Sequence, residues 1–84
     1  MNFTATRSFE KDVDAIRDKK LLLRLANLIE QIKAASSLAD LPSIMPLSGH
    51  TGVFRILVGD YRLGCYLSGD TLVLNRKEIY RKFP

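Results

Sequence analysis

The stretch that most constrains this chain runs from Val53 to Asn75, VFRILVGDYRLGCYLSGDTLVLN. It reads as three short strands joined by two Gly-Asp turns, Gly59-Asp60 and Gly69-Asp70. A two-residue hairpin loop with glycine at its first central position suits the type II′ turn, whose twist follows that of the strands it joins. With Gly59-Asp60 as the loop, Val58 faces Tyr61, Leu57 faces Arg62, Ile56 faces Leu63 and Arg55 faces Gly64. Because side chains alternate between the two sides of a sheet, the register sorts them. One side takes Phe54, Ile56, Val58, Tyr61, Leu63, Cys65 and Leu67, joined by Leu72 and Leu74 from the second hairpin, and is the core side. The other takes Val53, Arg55, Leu57, Arg62, Gly64, Tyr66, Thr71 and Val73. Two arginines there stand about one diagonal step apart beside an aromatic ring and a glycine, so function is sought on that side.

The sheet needs a cover. Lys20 to Ser36 places Leu21, Leu22, Leu25, Leu28, Ile29 and Ile32 on one broad helical face, with Arg24, Asn27, Gln31 and Lys33 largely opposite. That apolar face must be buried, and the apolar side of the meander is the available surface. Ahead of it, Asn2 to Arg7 alternates and is rich in β-formers, which predicts a short first strand. Ser8 reads as the N-cap of a first helix carrying Phe9, Val13 and Ile16, with Glu10, Asp12 and Asp14 where the helix dipole favours negative charge. Asp18-Lys19 ends that stripe. From Ser37 to Thr51 the periodicity fails. Pro42 and Pro46 bar a regular helix or a central strand, Leu38, Leu41, Ile44 and Leu47 tuck the connection onto the core, and Gly49 and Gly52 mark a loop around His50. At 84 residues the whole is one domain, residues 1–84, of the α+β class.

Charge is uneven. The net charge is +4, and residues 41–84 carry six basic groups against three acidic, whereas 1–40 carry seven against six. A basic half favours an anionic partner. Four of the basic residues crowd the tail, Arg76-Lys77-Glu78-Ile79-Tyr80-Arg81-Lys82-Phe83-Pro84, where a turn of helix is expected from about Lys77. The single cysteine, Cys65, forms no intrachain disulfide and falls on the core side, as a packing residue rather than a nucleophile. The amino-terminal MNFTATRSFEKDVD has no uninterrupted apolar stretch, so no signal peptide is expected, and Arg24, Asn27, Glu30, Gln31 and Lys33 interrupt the longest helix too often for a membrane span. The cytoplasm is the expected compartment.

Several chemistries are unsupported. One His and one Cys do not furnish a metal site, and no glycine-rich phosphate loop is present, so neither metal nor cofactor is expected. His50 has no Ser, Cys or carboxylate placed to pair with it and reads as an exposed loop residue. The carboxylates are scattered, with none on the arginine side. What remains is a basic patch with aromatics. Arg55 and Arg62 can each grip phosphate with two hydrogen bonds, Arg76, Lys77 and Arg81 add charge, and Tyr66 or Tyr80 can stack on an unpaired base. Cutting RNA needs little more. The ribose 2′-hydroxyl is the nucleophile, and the protein has only to hold it in line, stabilise the charge on the phosphorane and protonate the leaving oxygen.

The run FRILVGDYRLG, a further short strand and then RKEIYRKFP resemble the RelE/ParE superfamily of type II toxins, in particular its RelE-like branch, over nearly the whole length. The resemblance implies a β-α-α-β-β-β fold with two amino-terminal helices on a small, mostly antiparallel twisted sheet and a short carboxy-terminal helical tail. It implies an mRNA interferase that cuts messenger RNA in the ribosomal A site and is held in check by a cognate antitoxin. Carried over position by position, Arg55, Arg62, Arg76 and Tyr80 become the catalytic set, the arginines on the scissile phosphate and the tyrosine near the 2′-hydroxyl. Lys77, Arg81 and Lys82 of the basic tail, with Tyr66 beside the arginines, are read from the residues themselves as RNA contacts. Other readings on the same fold are a ParE-like inhibitor of DNA gyrase and an inactive homologue that keeps only its antitoxin contact. The chain also departs from the family pattern. Leu57 stands where relatives carry a second basic residue, Met45-Pro46 replaces a lysine-rich segment, and the last strand runs through Asn75 straight into Arg76 without the usual histidine. All three changes thin the same surface, which implies an attenuated toxin.

Overall fold

A computed structural model describes residues 1–47 and 49–77, Lys77 by its backbone alone. The chain begins with β1 (Asn2–Ala5), passes through α1 (Arg7–Asp14) and α2 (Lys19–Ala34), makes a single 3-10 turn at Leu38–Asp40, and then lays down β2 (Ile44–Pro46), β3 (Val53–Val58), β4 (Tyr61–Ser68) and β5 (Thr71–Lys77). The strands form one sheet in the order β1-β5-β4-β3-β2, with β1 parallel to β5 and every other pair antiparallel. The tail from Glu78 on, with Tyr80, Arg81 and Lys82, lies outside the described residues, as does its expected helix. At Lys77, where that helix was expected to start, the backbone is still strand, paired with Leu63.

Both Gly-Asp turns behave as the sequence requires. Gly59 and Gly69 each sit at φ 62°, while Asp60 and Asp70 are not among the positive-φ residues, which is the II′ pattern. The first hairpin pairs Val58 with Tyr61, Leu57 with Arg62, Ile56 with Leu63 and Arg55 with Gly64, the register expected from the turn. The core follows from it. Ile56, Val58, Tyr61, Leu63, Cys65, Leu72 and Leu74 are buried against Phe9 of α1 and Leu25, Leu28 and Ile32 of α2. Full burial of each large aliphatic side chain is worth roughly 1.5–3 kcal/mol. Both helices therefore cover one side of the sheet.

Two local readings are corrected. The N-cap of α1 is Thr6, not Ser8: its hydroxyl accepts from the Phe9 N–H and the helix starts at Arg7. Ser8 is exposed in the first turn, and Asp14 closes the helix instead of opening it. The stretch before Gly49 is not all loop, since Ile44–Pro46 pairs with β3 as an edge strand. Proline is tolerated there because an edge has one side with no ladder to complete. His50 is exposed in the loop, as expected.

Two buried groups give the core a signature in alkali. Burial pushes the Tyr61 phenol up to about 12, helped by the negative charge of Asp12, and burial alone pushes the Cys65 thiol up to about 12. Cys65 is thus held as a thiol, with Sγ 3.7 Å from the Phe54 carbonyl oxygen it donates to. Both folded values lie above the unfolded ones of 9 for the thiol and 10 for the phenol. The contribution of these two groups to folding stability is therefore fully present below about pH 9 and falls as pH rises towards 12, because the unfolded chain loses these protons first. The Tyr61 hydroxyl has no hydrogen-bond partner among the described residues, so Tyr61→Phe is expected to be no less stable at neutral pH and to lose the part of the decline that begins near pH 10. Urea midpoints across that range check both; a variant that follows the wild-type curve contradicts the assignment.

Candidate functional site

The side of the sheet away from the helices carries the arginines. Pairing aligns Met45, Arg55, Gly64 and Arg76 in one row across β2, β3, β4 and β5. One step along β3 and β4, Leu57 stands opposite Arg62. One step the other way, Val53, Tyr66, Val73 and Thr4 form the next row. Arg55 and Arg62 are half-buried and each is engaged with a neighbour, and the Nε of Arg55 is sealed from solvent. Both guanidinium groups are thus held on the sheet, in contrast to Arg76 and Tyr66, which are exposed. Val73, on this side, is 7% exposed and lies outside the helix-facing core cluster.

Arg76 reaches this side only through an irregularity. Strict alternation from Leu72 and Leu74 would pair Asn75 with Gly64 and turn Arg76 towards the helices. Instead Gly64 pairs with Arg76 and Cys65 with Leu74, leaving Asn75 as the extra residue of a β-bulge. The bulge is clamped from the junction of β1 and α1: the Thr6 hydroxyl donates to the Asn75 carbonyl, and the Thr6 N–H donates to the Leu74 carbonyl at 2.9 Å. Thr6 thus joins the start of α1 to the point where the last strand changes phase. Gly64 completes the arrangement, since a Cβ there would come within 3.2 Å of the Arg76 carbonyl oxygen. Losing both the cap and the clamp, Thr6→Val is expected to destabilise the fold by about 1–2 kcal/mol in urea unfolding. An unchanged midpoint would show that neither bond matters.

Of the residues singled out in the sequence, Arg55, Arg62, Arg76 and Tyr66 come together on one side. The side chain of Lys77, and all of Tyr80, Arg81 and Lys82, lie outside what is described. The sequence reading did not single out Thr6 or Asn75. Their signal was a contradiction: an alternating strand whose next inward position is an arginine is a strand that must change phase. It also left Leu47 as a core residue, whereas it flanks the outer side, its N–H donating to the Val53 carbonyl at 2.9 Å. Chemically, the row can place positive charge on both sides of a bound anion, with no side chain at Gly64 to stand between.

No family model matches the chain. It is 35% identical to "Toxin RelE3" of Methanocaldococcus jannaschii over an alignment of 89 positions that spans the whole of both chains. The chain belongs to the RelE toxin family. Members of this family are toxins of toxin–antitoxin systems that cut messenger RNA on the ribosome. The RelE toxin of the RelB-RelE complex from Methanococcus jannaschii superposes with a TM-score of 0.76 at 27% identity, over 93% of this chain and 88% of that one. The YoeB toxin of Staphylococcus aureus shares the fold at 18% identity, with a TM-score of 0.74 over 96% and 98% of the two chains. The YafQ toxin of the Escherichia coli DinJ-YafQ complex does so at 23% identity, with a TM-score of 0.61 over 90% and 88%. Kinship with RelE disfavours the ParE-like reading, a gyrase inhibitor on the same fold. Among the described residues, no helix is long and apolar enough to cross a membrane.

Proposed function

We propose that this RelE-family toxin cuts messenger RNA on the outer side of its sheet, with Arg55, Arg62 and Arg76 gripping the scissile phosphate. The observation that carries this reading is the row in which Arg55 and Arg76 flank the bare backbone of Gly64, with Arg62 one step away, on the side the helices leave open. In the reaction the 2′-oxygen attacks the neighbouring phosphorus, the bond to the 5′-oxygen breaks, and a proton passes from the first oxygen to the second. The arginines stabilise the extra charge of the phosphorane, where preorganised donors act most strongly. Tyr80, by family resemblance, handles the proton, and Lys77, Arg81 and Lys82 add charge along the RNA backbone. The partner is a cognate antitoxin that covers this surface in the resting cytoplasm.

The surface supports a weakened enzyme. Met45 lies beside Arg55 and Leu57 beside Arg62, so apolar side chains occupy positions next to both arginines. Leu57→Arg is expected to raise the cleavage rate roughly fivefold by adding one charge-assisted hydrogen bond to the phosphate. An unchanged rate would count against this strand side being the active one. The reading as a whole is tested by primer extension on messages in a translating extract. Codon-positioned cuts are expected, and inhibition of supercoiling without cuts would overturn it.

A further inference from the structure

Arg76 enters the row only because β5 changes phase at Asn75, so whatever holds that change also decides where the guanidinium stands. Two other courses are open to the end of the strand. Had β5 kept strict alternation, Leu63 would pair with Arg76 and the guanidinium would lie among Ile56, Leu63 and Leu74, all 0% exposed. Among the described residues no charged side chain is buried there to pair with it, and an unpaired buried charge is prohibitively costly. Had the ladder ended at Leu74, Arg76 would be free and would meet a phosphate from no fixed direction. The bulge is the course taken, with Gly64 paired to Arg76 and Leu63 to Lys77 beyond it.

Thr6 favours the bulge over a frayed end. Its hydroxyl has one proton to give and lone pairs to share, and uses both: it accepts from the Phe9 N–H at 3.2 Å and donates to the Asn75 carbonyl, with Asn75 Oδ1 3.3 Å away. With the Thr6 N–H on the Leu74 carbonyl, the two carbonyls tied are those at the break in the β4 ladder, where cross-strand support is interrupted. Behind Thr6 stands α1, anchored in the core by Phe9 and packed along β5. Arg76 is exposed and Gly64 beside it has no side chain, so the hold has to come through the backbone. We infer that Thr6 is a positioning residue for cleavage: through the Asn75 carbonyl it fixes the phase of β5 and keeps Arg76 in the row with Arg55. This rests on the cleavage reading for the part Arg76 plays in the reaction, whereas the hold on β5 is a property of the fold.

The helix cap and the tie to β5 are separable by chemistry. Thr6→Asp keeps an acceptor for the Phe9 N–H, and aspartate is a good N-cap, but an ionised carboxylate has no proton for the Asn75 carbonyl. Thr6→Ser keeps both functions. On programmed ribosomes Thr6→Asp is expected to cut about fivefold more slowly in single turnover, with the ribosome concentration for half-maximal rate within about twofold of wild type, because Arg76 is misplaced and not lost. Thr6→Ser is expected to cut at the wild-type rate, and Thr6→Val, isosteric but without a hydroxyl, to match Thr6→Asp at temperatures where it is folded. Placed in an Arg76→Ala chain, Thr6→Asp is expected to cost less than about a further twofold, since the group it positions is gone. Amide exchange, which reads the fold without cleavage, should speed up at residues 75–77 in Thr6→Asp, stay slow there in Thr6→Ser, and be unchanged at residues 72–74 in both. Wild-type exchange at residues 75–77 in Thr6→Asp, or a rate loss that multiplies in full with that of Arg76→Ala, would overturn the positioning role. An Arg76→Ala chain that cuts like wild type would instead remove Arg76 from the cleavage reading, and the role in cleavage would fall with it while the exchange data kept the tie.

Discussion

Arg62→Ala is expected to slow cleavage of ribosome-bound message by at least roughly a hundredfold, the effect of removing one preorganised donor from a developing negative charge. Arg62 sits one residue past the first hairpin turn, at the second position of β4, with Leu57 as its cross-strand partner. The II′ turn fixes that pairing, which places Arg62 one step along the sheet from the Arg55–Arg76 row. Arg62→Lys keeps the charge but loses the fork, and is expected to fall between the two, about tenfold down. The fold should survive both changes, since Arg62 is half-buried on the uncovered side and lies outside the hydrophobic core cluster. Single-turnover rates with matched urea midpoints separate lost chemistry from lost structure. A rate within threefold of wild type would remove Arg62 from the mechanism.

Leu63→Ala should have the largest effect on stability. Leu63 is fully buried at the centre of the sheet, between Ile56 of β3 and the backbone of Lys77 in β5. Truncation leaves a cavity under the helices and is expected to cost about 2–5 kcal/mol, a large part of the 5–15 kcal/mol typical of a domain. In a chain of this size that lowers the melting temperature by roughly 8–40 °C. Leu63 lies between Arg62 and Gly64 in the sequence yet points to the opposite side. Its loss should therefore lower activity only near the new melting temperature, and a variant that melts with wild type but cuts slowly would break the separation of the two sides.

Much of this was legible because the two Gly-Asp turns leave little freedom. Once Gly59-Asp60 is the loop, the identity of every residue on either side of β3 and β4 follows, and the leucines of α2 have one place to go. The start of α1 was misplaced because Thr6 and Ser8 are both good caps, and the choice depends on Thr6 also reaching Asn75, a contact across 69 residues that no local pattern carries. β2 escaped notice because a three-residue edge strand ending in proline has almost no periodicity to detect. The phase of Arg76 depended on a bulge held by tertiary bonds, so the sequence posed the problem without solving it.

On this reading the arginines of the uncovered side, and not those near the helices, do the cutting. The most direct measurement compares Arg55→Ala, Arg62→Ala and Arg76→Ala with Arg24→Ala in one single-turnover assay on programmed ribosomes, Arg24 being the α2 residue whose guanidinium lies near the Gly59 turn. Each sheet variant is expected to lose roughly tenfold or more and Arg24→Ala to cut within about twofold of wild type. Wild-type cutting by Arg55→Ala and Arg62→Ala, or an Arg24→Ala chain as crippled as they are, would contradict it.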